Sequence, residues 1–210
     1  MSNDSFEFKK FKIKHDKCAM RVGTDAVLLG AWVVPNGSKS ILDIGTGSGV
    51  IAMMLAQKSN AKILAIDIDK ESTTQAAENV QNSMFANQVQ ILHDSFQHFA
   101  ATTESRFDLI VTNPPYFVDS LKNSSDTKAT ARHNDSLSYN DLLTGVKRLL
   151  SDKGKFCLIL PTKEAAQFRE QAKTKGLYLS KLLRIRTRME KDTEKRHLMQ
   201  FEFKETEFSE

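Results

Sequence analysis

The chain has 210 residues, 40% of them apolar, and carries 30 Lys and Arg against 26 Asp and Glu for a net charge of +4; that is enough material for one large domain with a real core. No run approaches the roughly 20 apolar residues that span a bilayer, and residues 1–14 are charged where a secretory leader would be apolar, so a membrane protein and a secreted one are excluded and a cytoplasmic protein is expected. Cys18 and Cys157 stand far apart, and His15, His93, His98, His133 and His197 keep no metal-ligand spacing, so reduced packing cysteines and no metal are expected.

Residues 1–36 read as a basic, helical lead-in to a core over 37–210. Lys9, Lys10, Lys12, Lys14, Lys17 and Arg21 crowd its first part. Thr24 or Asp25 can cap a short helix whose apolar face is Val27, Leu28, Ala31 and Trp32, laid against the core.

Ser40 to Ile44 is a short apolar strand that runs into the glycine-rich turn Gly45-Thr46-Gly47-Ser48-Gly49, with a helical pattern at Val50, Ile51, Met54 and Leu55. Such a turn lets the backbone approach a ligand and offers N–H groups at a helix start. A dinucleotide fingerprint needs G-x-G-x-x-G, but Val50 occupies the place of its last glycine. Asp43 would repel a pyrophosphate, yet suits a ligand carrying an ammonium group and ribose hydroxyls, as S-adenosyl-L-methionine does.

The next strand, Ala61 to Ile66, ends at Asp67, where an open α/β sheet places the acid that takes ribose hydroxyls. Asp69 then caps a helix whose face is Thr73, Ala76, Ala77, Val80 and Met84. After the strand Val89 to Leu92, Asp94 is placed either to accept from the adenine amine of the cofactor or to cap the following helix.

Phe107 to Thr112 is an apolar strand ending in Asn113-Pro114-Pro115-Tyr116. The Asn113 side-chain oxygen and the Pro114 carbonyl can accept the two hydrogens of a flat exocyclic amine, the prolines hold φ near −65°, and Tyr116 offers a ring to stack on. Taking both hydrogens draws the amine lone pair out of conjugation and makes it a nucleophile. The plain alternative is a proline turn that ends a strand.

The polar segment 118–137 interrupts the alternation and could close over an extruded base, with Arg132 and His133 on phosphates, or be a loop without a role. A strand near 155–160 and two late runs near 177–187 and 196–204, read as a hairpin, complete the order. Lys181, Arg184, Arg186, Arg188, Lys191, Lys195 and Arg196 make the end of the chain basic, though Glu190, Asp192 and Glu194 interleave them. With the basic start this is a footprint for nucleic acid phosphates, or ordinary solvated surface.

Strand and helix in alternation give an α/β, doubly wound, Rossmann-like fold. A mostly parallel seven-stranded sheet with one antiparallel strand and helices on both faces is predicted. The glycine turn, Asp67, Asp94 and the Asn113 tetrapeptide all fall at strand carboxyl ends, where such sheets bind ligands.

The glycine turn and Asn113-Pro114-Pro115-Tyr116 resemble the class I S-adenosylmethionine-dependent methyltransferases that act on amines. The stretch from His15 to Trp32, with Arg21-Val22-Gly23-Thr24-Asp25 at its centre, and Ala131-Arg132 narrow the resemblance to the bacterial tRNA1(Val) adenine-37 N6-methyltransferase family, over most of the chain. The resemblance implies direct methyl transfer to adenine N6 in the anticodon loop of a valine tRNA; a monomer is expected. It implies catalytic Asn113, Pro114, Pro115 and Tyr116. It also implies cofactor contacts from Arg21, Gly23, Thr24 and Asp25 at the methionine end, alongside Asp43, Gly45, Gly47, Gly49, Asp67, Asp94 and Asn113. The family typically continues into a tail rich in Tyr, Leu and Phe, whereas this sequence stops at Phe208-Ser209-Glu210. Rival readings are another amine substrate (adenine in ribosomal RNA or DNA, or a protein glutamine, whose enzymes carry a helical N-terminal domain) and a noncatalytic RNA-binding module.

Overall fold

The computed structural model describes residues 4–18, 20–115, 137–186, 193–205 and 209. The chain opens with an antiparallel ribbon, β1 (Ser5–Glu7) and β2 (Lys12–Lys14), followed by α1 (Thr24–Trp32). The lead-in is therefore half ribbon, a correction to the helical expectation. Phe11 and Ile13 alternate with exposed Lys12 and Lys14, so one face of β2 is buried and the other solvated.

The core alternates as predicted: β3 (Ser40–Ile44), α2 (Val50–Ala56), β4 (Lys62–Asp67), α3 (Lys70–Gln81), β5 (Val89–His93), α4 (Phe96–Thr102) and β6 (Phe107–Thr112). Then come α5 (Tyr139–Leu149), β7 (Leu150–Pro161), α6 (Thr162–Thr174), β8 (Tyr178–Arg186) and β9 (Glu194–Glu202). The large sheet has seven strands in the order β5-β4-β3-β6-β7-β9-β8. Only β9 runs against the rest, because it pairs antiparallel with both β7 and β8. The last strand slots between its two predecessors, so the predicted late hairpin lies within the sheet and β8 forms its edge.

Side chains alternate across each strand. Ile41, Ile63, Leu109, Val111, Cys157 and Ile159 pack with α1, α2 and Val80 of α3. Leu42, Ile66, Ile110, Phe156, Leu158 and Leu160 pack with α4, α5 and α6. The near-continuous apolar runs of these strands follow from burial on both faces. Both cysteines are free, Cys157 within the core and Cys18 half-buried. No helix among the described residues is long and apolar enough to cross a membrane.

The expected face of α1 is displaced. Ala26, Leu29 and Gly30 are its buried residues, while Ala31 is exposed and Val27, Leu28 and Trp32 are half-buried. The helix is apolar on nearly every side, so spacing alone did not select a face. Close packing did: a Cβ on Gly30 would stand 2.6 Å from the Met54 sulfur. Its N-cap is Gly23, with no side-chain cap, which corrects the capping role expected of Thr24 or Asp25.

Candidate active site

Parallel pairing sets the site. Ile44 is level with Ile66 on one side and Thr112 on the other, and Asp67 is level with His93. The glycine turn, Asp67, Asp94 and Asn113 therefore leave the sheet along one edge. Strand order reverses between β3 and β6, the switch point at which open α/β sheets form a ligand crevice. The Thr112 hydroxyl donates to the Ile44 carbonyl at 2.9 Å and ties the two strand ends together there. Asn113 is half-buried, Pro114 buried and Pro115 exposed. Tyr116, Arg132 and His133 lie outside the described residues.

The turn is shaped by Gly45, Gly47 and Gly49, with φ of 69°, 55° and 84°, a region that other residues seldom adopt. Asp43 stands beneath it, fully buried. One carboxylate oxygen accepts from the Thr46 hydroxyl at 2.6 Å and from the Ala52 amide at 3.2 Å, so Asp43 first of all holds the turn onto α2. Its other oxygen has no partner among the described residues. Burial pushes this carboxyl up to about 7, against the hydrogen bonds from Thr46 and Ala52 and with the charge of Asp67 adding to the rise.

Asp67 accepts from the Gly47 amide at 2.8 Å and from the Asp69 amide at 2.9 Å. It thus joins the glycine turn to the start of α3. Each oxygen keeps a further lone pair for a ligand hydroxyl. Asp69 caps α3 through Ser72, as expected. Asp94 does not cap α4: Ser95 does, accepting from the His98 amide, and Asp94 pairs with the His98 ring at 2.9 Å. On α3, Thr73, Ala76 and Val80 are buried as read, but Met84 lies past the helix end and is exposed.

A family model described as a methyltransferase domain matches residues 35–206. A tRNA1(Val) (adenine(37)-N6)-methyltransferase of Bacteroides fragilis is 46% identical over 189 residues, covering 90% of this chain and 80% of that one. Its counterpart in Trichodesmium erythraeum is 44% identical over 203 residues, covering 95% and 84%. The chain belongs to the tRNA1(Val) (adenine(37)-N6)-methyltransferase family. Solved structures agree on the fold: a methyltransferase of Pyrococcus furiosus superposes with a TM-score of 0.60 at 21% identity over 84% of this chain and 80% of its own. A 16S rRNA methyltransferase of Thermus thermophilus gives 0.65 at 20% identity, over 95% of this chain and 50% of its own.

Three residues of this methyltransferase escaped the sequence reading. Asn79 of α3, buried, accepts from the Lys14 amide at 2.9 Å and donates to the carbonyls of Lys14 and Ser48, so one side chain holds both β2 and the glycine turn. Gln75 accepts from the Lys17 amide at 3.3 Å one turn away. Both were legible as polar residues on the buried side of an amphipathic helix, between Thr73, Ala76 and Val80. The third is Arg196, read only as part of a basic run. Its Nε donates to Asp25 at 2.8 Å, across 171 residues of sequence. Among the described residues no group of three or more His, Cys, Asp or Glu side chains could hold a metal ion.

Proposed function

We propose that the chain transfers a methyl group from S-adenosylmethionine to the exocyclic N6 of adenine 37 in the anticodon loop of tRNA1(Val), by direct in-line transfer without a covalent enzyme intermediate. The observation that carries this reading is the position of Asn113 and Pro114 at the end of β6, beside β3 and its glycine turn, in a chain 46% identical to a methyltransferase named for that reaction.

The residues present fit the donor. The unmet oxygen of buried Asp43 suits the potential of an ammonium or hydroxyl donor, the positive-φ glycines let a ligand meet bare backbone, and Asp67 offers acceptors for ribose hydroxyls. Asp94 stands one strand further on for the adenine amine, and Arg21, Gly23, Thr24 and Asp25 border the methionine end. Bound there, S-adenosylmethionine supplies an electrophilic methyl on a sulfonium.

The work of the protein is placement. The side-chain oxygen of Asn113 and the carbonyl of Pro114 accept the two amine hydrogens and turn the lone pair out of conjugation. Pro115 stiffens the segment and Tyr116 stacks on the base. Acceptors held in place at the end of β6 leave little reorganisation for the moment of transfer. The base must leave its stack to reach them, at a smaller cost in a single-stranded loop than in a duplex.

The test is methyl transfer from labelled S-adenosylmethionine to unmodified valine tRNA, read by nucleoside mass spectrometry, beside a tRNA with position 37 changed. N6-methyladenosine formed only when that adenine is present is the expected result. Transfer to both tRNAs, or to neither despite cofactor binding, overturns the assignment in favour of another amine.

A further inference from the structure

The chain between β2 and α1 is fastened at both of its ends, and the two fastenings stand on opposite sides of the crevice. On one side the chain climbs α3: Lys14 bonds Asn79, Lys17 bonds Gln75 and its ammonium pairs with Glu78 at 2.6 Å. Cys18 then reaches Ser72 in the first turn of α3, near Asp67 at the end of β4 and Asp69 at the cap of α3. On the other side Asp25, at the start of α1, is held by Arg196. Arg196 lies opposite Pro161, the last residue of β7, so this ion pair stands at the same carboxyl edge of the sheet.

Lengths decide the path. From β4 to β9 are four strand steps, roughly 19 Å at about 4.8 Å each. Seven residues from Cys18 to Asp25 reach at most about 24 Å when extended. The span is within reach, so residues 20–25 lie between these two anchors. Val22 packs with the core on the α1 and α2 side, while Met20 and Arg21 are exposed. The Val22 amide donates to His15 Nδ1 at 3.5 Å, and the neighbouring Lys14 shares the Asn79 amide with Ser48 of the glycine turn, so the segment runs beside the N-terminal end of α2.

We infer that Arg196 is a positioning residue for the cofactor: its ion pair with Asp25 draws residues 20–25 across the glycine turn as a strap and sets the methionine-side wall of the crevice. Sequence spacing gives no hint of this, since the two partners are 171 residues apart. The inference rests on the reading of the turn as the cofactor site. It adds a residue from the far end of the chain to that site and gives the Arg21–Asp25 stretch a mechanical reason to lie there. Asn79 is the matching anchor on the other side.

The experiment uses the full chain with Arg196→Ala, Arg196→Gln and Arg196→Lys. Three quantities are read: calorimetric affinity for S-adenosylhomocysteine, hydrogen exchange of amides 20–25 with and without that ligand, and Tm. Arg196→Ala should weaken the affinity about tenfold, the scale of one charged hydrogen bond. It should also abolish ligand-induced protection of amides 20–25, while kcat at saturating cofactor stays within about twofold. Arg196→Lys, which keeps a cation for Asp25, should hold affinity to within about threefold of wild type, and Arg196→Gln should fall between. A lower Tm with unchanged affinity, or amides 20–25 indifferent to ligand in the wild type, overturns the inference. Should Arg196→Ala fail to fold, Arg196→Lys and Arg196→Gln carry the same comparison. Wild-type chain that binds the ligand but methylates no tRNA sinks the substrate assignment and leaves the strap standing; wild-type chain that binds no ligand sinks both.

Discussion

Asp43 combines two demands that pull against each other. Its carboxyl, ordinarily near 3.8, is pushed up to about 7 by burial. Between those values the folded chain keeps a proton that the unfolded chain has released, so stability falls as pH rises through that window and stays reduced above it. Asp43→Asn removes the ionisation. We expect a Tm higher by about 2–4 °C at pH 8, the equivalent of roughly 1 kcal/mol in a chain of this length, and no gain at pH 4. Cofactor affinity should move the other way, falling at least about tenfold, because the unmet acceptor is gone. A calorimetric titration at pH 6 in buffers of different ionisation enthalpy should register proton release on binding to the wild type and none in the variant. Asn113→Ala separates the other half of the site: it should lose methyl transfer by on the order of a hundredfold or more while cofactor affinity is largely kept. Near-native turnover of that variant would sink the clamp.

Two glycines govern how neighbouring elements meet. Gly49, at φ 84°, caps α2, and a Cβ there would stand 3.4 Å from the Ala76 Cβ of α3. Backbone conformation is the greater obstacle, so Gly49→Ala should cost about 1–2 kcal/mol and weaken cofactor binding with it, read by denaturant unfolding and calorimetry. Gly145 of α5 has an ordinary backbone but no room: its Cβ would fall 2.5 Å from a Phe96 ring carbon. Gly145→Ala should destabilise by about 1–3 kcal/mol, with cofactor affinity unchanged because α4 and α5 pack on the face away from the turn. The alternation of elements was readable because each strand is an apolar run and each helix after β3 opens on turn chemistry. The face of α1 was not readable, since a helix apolar on all sides carries no direction. Of the two roles open to Asp94, the cap of α4 falls to its neighbour Ser95, because adjacent Asp and Ser both carry a capping side chain and only the backbone path decides between them.

At the scale of the molecule, charge is carried by the two ends of the chain, the ribbon and the last two strands. Lys9, Lys10, Lys12 and Lys14 are exposed around β2, as are Lys181, Arg184, Arg186 and Lys195 on β8 and β9. If these meet the RNA backbone, KM for tRNA should rise steeply with salt while KM for the cofactor does not; equal salt responses would reduce both ends to solvated surface. The sequence by itself determined the α/β order, the glycine turn and the Asn113 tetrapeptide, because these depend on residues adjacent in the chain. It could not determine that β9 inserts between β7 and β8, that Asn79 fastens the ribbon to the turn, or that Arg196 reaches Asp25. The bonds of Asn79 to the turn and of Arg196 to Asp25 join residues 31 and 171 positions apart, and only the closing of the sheet and the packing of helices on its faces bring them within hydrogen-bond distance.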